Sequence, residues 1–223
     1  MSDLDVRAFT VGPVQENCYI VRASRAAERG VIVDPGEEGP RLVQGVEQLG
    51  VKIEAILITH CHFDHIGAVA PVAAATGAPV YCPELERHVL ADIMSFVPYA
   101  GFGPFESYEA DHTVTGGDRL SLAGLELDVL FTPGHSPGHV TYAVADQDAL
   151  FSGDVLFAGS VGRVDLPGGD WTVLEASIGQ LLDAFGAQTT VYPGHMGITT
   201  LGRERESNPF LAELRTAAPR GDG

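Results

Sequence analysis

Apolar positions recur along this chain with two periods, and the switches between them divide it into strands and helices. β-Branched and aromatic residues gather between turn signals at 6–10, 18–22 and 31–34, which predicts three strands. Leu42, Val43, Val46 and Leu49 then recur at helical spacing. Pro40 suits a first turn, where its missing N–H is not needed, and Gly50 stops the helix, so 40–49 is predicted helical. The run Ala55-Ile56-Leu57-Ile58 predicts a buried strand. Ile66, Val69, Ala70 and Ala73 give the next helix an apolar face, and Gly77 ends it. A short strand near Val80 and a helix over 84–90 follow. Strands are predicted again at 119–122, 125–131, 140–145, 149–152 and 189–192, with helices at 171–185 and from about 203 to 215.

The stretch 95–112 fits neither period. Phe96, Tyr99, Phe102 and Phe105 stand among Pro and Gly. Two readings carry equal weight: a lid over a substrate pocket, hinged at Gly101 and Gly103, or a connection packed by its own aromatics.

Composition narrows the class. A chain of 223 residues with 45% hydrophobic content suits one large domain over 1–223 with ample core. No apolar run approaches the roughly 20 residues of a membrane span. The start, Met1-Ser2-Asp3-Leu4-Asp5, is acidic and lacks the basic and apolar regions of a signal peptide, so a cytoplasmic location is expected. Cys18, Cys61 and Cys82 are odd in number and show no paired spacing, in keeping with reduced thiols. The formal net charge of −17 disfavours a nucleic-acid partner, since such affinity rests on Lys and Arg neutralising phosphates; it reads as a soluble acidic surface.

The candidate chemistry lies at strand ends. Thr59-His60-Cys61-His62-Phe63-Asp64-His65 follows directly on the 55–58 run, and His135, Asp154 and His195 each come soon after another apolar run. One buried histidine is ordinarily a satisfied core residue; seven such side chains at strand ends are a metal-site pattern. Mixed imidazole and carboxylate donors suit zinc, iron or manganese, and are too rich in nitrogen for calcium or magnesium. His60 and His62 are two apart, so in extended chain they project to one side while Cys61 points into the fold as a small filler. Asp64 and His65 fall where the chain turns into the next helix, placed to reach a second metal. No Ser-His-Asp or Cys-His arrangement competes. Asp34, before Pro35-Gly36, reads as an orienting partner for a ligand imidazole or as a plain turn residue. Arg163 and Asp165 read as an ion pair or as pocket residues. His139 reads as structural, and His88 and His112 as surface residues.

These motifs carry a resemblance to the metallo-β-lactamase superfamily, and within it to short bacterial glyoxalase II-like hydrolases. It extends over nearly the whole chain: Asn17-Cys18-Tyr19, Asp34-Pro35-Gly36, the His60 to His65 cluster, Pro133-Gly134-His135 through His139, Gly153-Asp154, Gly162-Arg163-Val164-Asp165, Pro193-Gly194-His195 and Asn208-Pro209-Phe210. The resemblance implies an α/β fold, the αββα sandwich of two mixed sheets with helices outside. It implies two metal ions, zinc first, with iron or manganese as alternatives. His60, His62 and His135 would hold one, Asp64, His65 and His195 the other, and Asp154 would bridge, with Asp64 and Asp154 named as catalytic. The implied reaction is hydrolysis of a small-molecule thioester such as hydroxyacylglutathione by a metal-bridging hydroxide.

Asp154 stands where many metallo-β-lactamases carry Cys, and His62 where diiron flavoprotein relatives carry Glu, so both activities are disfavoured. Full-length glyoxalase II enzymes add a C-terminal helical domain that binds glutathione; here about one helix follows His195. Met196-Gly197-Ile198 departs from the Gly-rich continuation of relatives, and Met196 is expected to alter a pocket wall. The same motifs resemble persulfide dioxygenases, which would use one iron on His60, His135 and Asp154. That family tends to place Ala where this chain has Gly194, which favours the hydrolase. A non-catalytic binding module is disfavoured by the intact ligand sets.

Overall fold

The computed structural model describes residues 4–212. Its first half is a six-stranded sheet in the order β1-β2-β3-β4-β5-β6. The strands β1 (Asp5–Val11), β2 (Glu16–Arg22) and β3 (Arg29–Val33) form an antiparallel meander. Helix α1 (Gly39–Leu49) then crosses back to β4 (Lys52–Leu57), parallel to β3. Helices α2 (Phe63–Ile66) and α3 (Val69–Thr76) lead to β5 (Val80–Pro83); α4 (Arg87–Leu90) and α5 (Ile93–Phe96) precede β6 (His112–Val114).

The second half supplies β7 (Arg119–Leu122), β8 (Leu125–Phe131), β9 (Val140–Val144) and β10 (Ala149–Gly153), and the small hairpin β11 (Leu156–Phe157) with β12 (Ser160–Val161). Helix α6 (Trp171–Ala184), β13 (Thr190–Pro193), β14 (Thr199–Thr200) and α7 (Leu201–Ser207) follow. The second sheet runs β14-β13-β10-β9-β8-β7, antiparallel except where β10 pairs with β13 across α6.

Side-chain alternation explains why the two sheets stack. In β2, β3 and β4, Ile20, Ile32 and Ile56 pack outward under Leu42, Val69 and Val72 of α1 and α3. Their neighbours Tyr19, Val21, Val31, Val33, Ala55 and Leu57 face the other way, against Leu127, Val129, Tyr142 and Phe151 of the second sheet. Leu150 and Val191 of that sheet meet Leu174, Ile178 and Leu181 of α6 on its outer face. Central strands are therefore buried on both faces, and the layers are helix, sheet, sheet, helix: the αββα sandwich. No helix among the described residues is long and apolar enough to cross a membrane.

Three predicted helices differ in detail. The helix expected around Ile66 is broken into α2 and α3, because the Gly67 amide still bonds to Phe63 while the Ala68 amide turns to the Pro35 carbonyl. The helix expected over 84–90 begins as a 3₁₀ turn, Glu84–Glu86, before α4. The C-terminal helix starts earlier, at Leu201, and stops at Ser207, with a 3₁₀ turn at Pro209–Leu211. Pro209 pushes Asn208 out of the α region, and Asn208 sits extended, at φ −69° and ψ 121°. The part of that prediction beyond residue 212 lies outside the described residues.

Candidate metal centre

The carboxyl ends of β4, β10 and β13, together with the β8–β9 turn, converge on one edge of the sandwich, and each carries a candidate ligand. His60 Nε2 and His62 Nδ1 lie 3.2 and 2.8 Å from His135 Nε2. The edge of a tetrahedron with metal–nitrogen bonds of about 2.05 Å is roughly 3.3 Å. Three nitrogens at this spacing are aimed at one point.

The opposite ring nitrogens are committed, which decides the tautomers. The Thr59 hydroxyl donates to Asp34 Oδ2 at 2.6 Å, so it accepts the His60 Nδ1–H at 3.1 Å. His135 Nδ1–H donates to the Arg163 carbonyl at 2.7 Å. His65 Nδ1–H donates to Asp34 Oδ2 at 3.0 Å. Each ring thus turns the lone pair of Nε2 toward the centre, as metal-ligating histidines do.

The second group is Asp64, His65 and His195. His195 Nε2 is 3.2 Å from Asp64 Oδ2 and 3.5 Å from Asp154 Oδ2. Asp154 also reaches His65 Nε2 at 3.4 Å and His135 Nε2 at 3.4 Å, so its carboxylate touches both groups. All seven predicted residues are brought together. His65 Nε2 and Asp154 Oδ1 are buried 3.4 Å apart without hydrogen-bond geometry, and neither has another hydrogen-bond partner, an arrangement that is costly unless a cation satisfies both. A Cβ at Gly194 would overlap Asp154 Oδ1 and come within 2.6 Å of His65 Cε1. The residues therefore fit divalent metal ions in donor chemistry and in room.

Electrostatics agree. Burial, with neighbouring histidines, holds His60 well below the usual imidazole range, and brings His62 down to about 4, so both are neutral donors. Burial alone would raise Asp154, yet His65, His195 and His135 outweigh it and keep the carboxylate ionised. For His65 the balance reverses: burial opposes the charge, and Asp154 and Asp64 still hold its pKa well above the ordinary value. Carboxylates that favour a proton there would favour a metal cation more.

Surrounding residues explain several motifs. Asp34 serves both groups, through Thr59 to His60 and directly to His65, so the orienting reading holds over the plain turn. His139 is buried and accepts the Asp154 amide N–H on Nε2 at 3.0 Å, which leaves its Nδ1–H facing Thr132 Oγ1. It is structural, as expected, and what it supports is Asp154. Asn17 and Tyr19 hold the His195 loop: Asn17 Nδ2 donates to the Pro193 and Met196 carbonyls, and Tyr19 Oη to Pro193. Cys61 is buried with its thiol 3.5 Å from that of Cys82, a packing position. His88 and His112 are exposed. Arg163 and Asp165 pair at 2.7 and 2.8 Å, and Arg163 also lines the cleft.

Sequence reasoning missed Glu86, buried on the 3₁₀ turn before α4. Its Oε2 accepts the Cys61 amide at 2.5 Å, and its Oε1 accepts the Ser136 hydroxyl at 2.5 Å and the Gly138 amide at 2.8 Å. The second Glu of Glu84-Leu85-Glu86, on an otherwise ordinary helical stretch, gives no local sign of this.

A cavity of about 650 Å³ opens beside His62, Asp64, His135, Asp154 and His195. Phe96, Val97, Pro98 and Tyr99 form one wall, so the start of the unassigned segment does stand over the centre. For Phe102 and Phe105 the lid reading is corrected. Both pack inward on Phe63, with ring centroids 4.7 and 5.8 Å away, because the fold offers them core surface. Met196 is corrected as well: its side chain is 57% exposed and does not line the cleft, and the loop uses its carbonyl.

This layered fold, with its His and Asp groups at the strand ends, defines a metal-dependent hydrolase class. The family model of the Metallo-beta-lactamase superfamily matches residues 11–195, and the chain belongs to that superfamily. It is 40% identical to a probable metallo-hydrolase of Bacillus subtilis, over 92% of this chain and 96% of that one. It is 31% identical to a hydroxyacylglutathione hydrolase of Haemophilus influenzae, over 93% and 98%. Among solved structures it is similar to the BLEG-1 B3 metallo-beta-lactamase, with TM-score 0.87 and 39% identity over 93% and 100% of the two chains. TTHA1623 in a di-iron-bound form gives 0.75 and 40% over 92% and 100%. ETHE1 from Myxococcus xanthus gives 0.73 and 26% over 92% and 83%.

Proposed function

We propose that the chain, acting as one domain in the reducing cytoplasm, is a dinuclear metal-dependent hydrolase of thioesters, of the glyoxalase II type. The observation that carries this reading is Asp154, whose carboxylate lies within 3.5 Å of ring nitrogens from both groups. His60, His62 and His135 would hold one ion, Asp64, His65 and His195 the other, with zinc the first expectation. A metal pair, when bound, lowers the pKa of water from about 15.7 toward 7 and polarises the substrate carbonyl. The chain's residues do the rest. Asp34, Thr59 and the Arg163 carbonyl keep the imidazoles in the ligating tautomer, His139 fixes the Asp154 backbone, and the cleft seats an acyl-thiol and displaces water. The Haemophilus relative supports a thioester substrate, and Gly194, where an Ala would invade the second group, supports a two-metal hydrolase over the one-iron dioxygenase.

The test is metal analysis of protein purified without added metal, together with turnover of hydroxyacylglutathione. The reading expects two metal equivalents per chain, activity lost on chelation and recovered with zinc, and a rate rising through one ionisation near neutral pH. A second reading, a persulfide dioxygenase with one iron on His60, His135 and Asp154, is favoured by the likeness to ETHE1 and by the 3.2 and 3.4 Å spacings among those residues. One iron with oxygen uptake on glutathione persulfide, and no thioesterase activity, would replace the first reading. A β-lactam assay belongs beside both, given the likeness to BLEG-1.

A further inference from the structure

We infer that the cleft selects uncharged, apolar acyl-thiols, and that the carboxylates of a glutathione conjugate find in its described lining only one guanidinium, Arg163, already paired with Asp165. The inference rests on the thioesterase reading and narrows its substrate. The mouth is rimmed by large apolar side chains that stay open to solvent: Leu85 at 60% exposure, Phe96 at 49%, Tyr99 at 45% and Val14 at 38%. Exposed apolar surface gathered round a concave site marks a ligand face.

The charged lining points the same way. Asp64 and Asp154 belong to the metal centre, and Glu86 is spent on Cys61, Ser136 and Gly138. Arg163 is the one Arg or Lys among the described lining residues, and Asp165 holds its guanidinium bidentately. The His88 ring lies against Phe96, 5.3 Å between centroids. A substrate carboxylate would have to share that one guanidinium with Asp165, which already offsets its charge, under a chain of net charge −17.

The experiment uses the metal-loaded protein with acyl thioesters of N-acetylcysteamine, an uncharged thiol, in a series of growing chain length. Hydroxyacylglutathione is assayed in parallel. kcat/KM should rise about fourfold per added methylene until the cleft is filled. The glutathione ester should fall at least tenfold below an N-acetylcysteamine ester of the same acyl group. Phe96→Ala and Tyr99→Ala should flatten the chain-length slope through KM with metal content intact. A preference for the glutathione ester, or no slope, overturns the inference and leaves the thioesterase reading standing. If no thioester turns over, that reading falls, and calorimetry with an uncharged acyl thioether decides the cleft. Binding that Phe96→Ala weakens supports the inference; no binding overturns it.

A separate observation concerns Glu86. The geometry assigns it as the positioning residue of the first ligand group alone. It grips the Cys61 amide between His60 and His62, and Ser136 next to His135, joining two loops whose histidines are 75 residues apart in sequence. None of its hydrogen bonds reaches Asp64, His65 or His195. Chelator titration of the metal-loaded Glu86→Ala protein should release one ion 10- to 100-fold more readily and the other as in wild type. Glu86→Gln, which keeps one acceptor oxygen, should fall between. Wild-type retention of both ions overturns the assignment, and so does equal loss of both with a lowered melting temperature.

Discussion

Asp34 Oδ2 accepts the His65 Nδ1–H at 3.0 Å while also taking the Thr59 hydroxyl that steadies His60. One carboxylate therefore sets ring orientation in both ligand groups. Asp34→Ala is expected to weaken both metals about 10- to 100-fold, measured by chelator competition. Asp34→Asn can keep one oxygen toward His65 and the Thr59 hydroxyl only by turning its NH2 onto the Thr59 amide N–H, which Asp34 Oδ1 accepts at 2.7 Å, so it should recover the loss only in part.

Asp154 and His195 differ in reach. Asp154→Ala should release both metals together, since its carboxylate contacts His65, His135 and His195. His195→Ala should weaken mainly the ion held with Asp64 and His65. Elemental analysis of each variant separates these outcomes. Two tightly held metals in Asp154→Ala would falsify the ligand assignment.

Gly194 matters for space. Its backbone is outside the left-handed region, so Ala is tolerated conformationally, yet the new methyl enters the gap between Asp154 and His65. Gly194→Ala should keep its fold by circular dichroism and lose the second metal selectively.

Phe102 and Phe105 are structural. Both are only partly buried, so their Ala variants should each cost less than the roughly 3–5 kcal/mol of a core Phe, about 1–3 kcal/mol in denaturant unfolding, and leave KM unchanged.

The Asp5–Arg22 pair gives a pH signature. Burial would raise the Asp5 carboxyl, but the Arg22 hydrogen bonds and charge, helped by Arg7, pull it below the ordinary value. A depressed acid stabilises the fold above its unfolded pKa of about 3.9, and that contribution is lost as pH falls through the folded value. Asp5→Asn should be less stable than wild type at pH 7, and the gap should close in acid melts below about pH 4.

Much of this was legible in the sequence, and for a local reason. Strand and helix periods are properties of neighbouring residues, so the 18–22, 55–58 and 171–185 elements could be read directly, and with them the ligands that the strand ends deliver. His-x-His-x-Asp-His is likewise a short-range pattern. Tertiary structure alone decided what depends on residues far apart. It placed Phe96 and Tyr99 in the cleft and Phe102 and Phe105 against the core, because only the packed fold says which surface each aromatic meets. It broke the helix at Ala68 by offering the Pro35 carbonyl, and it turned Glu86 from a helical Glu into the clamp between two loops. Hydrogen-bond partners across 25 to 52 residues leave no period to read.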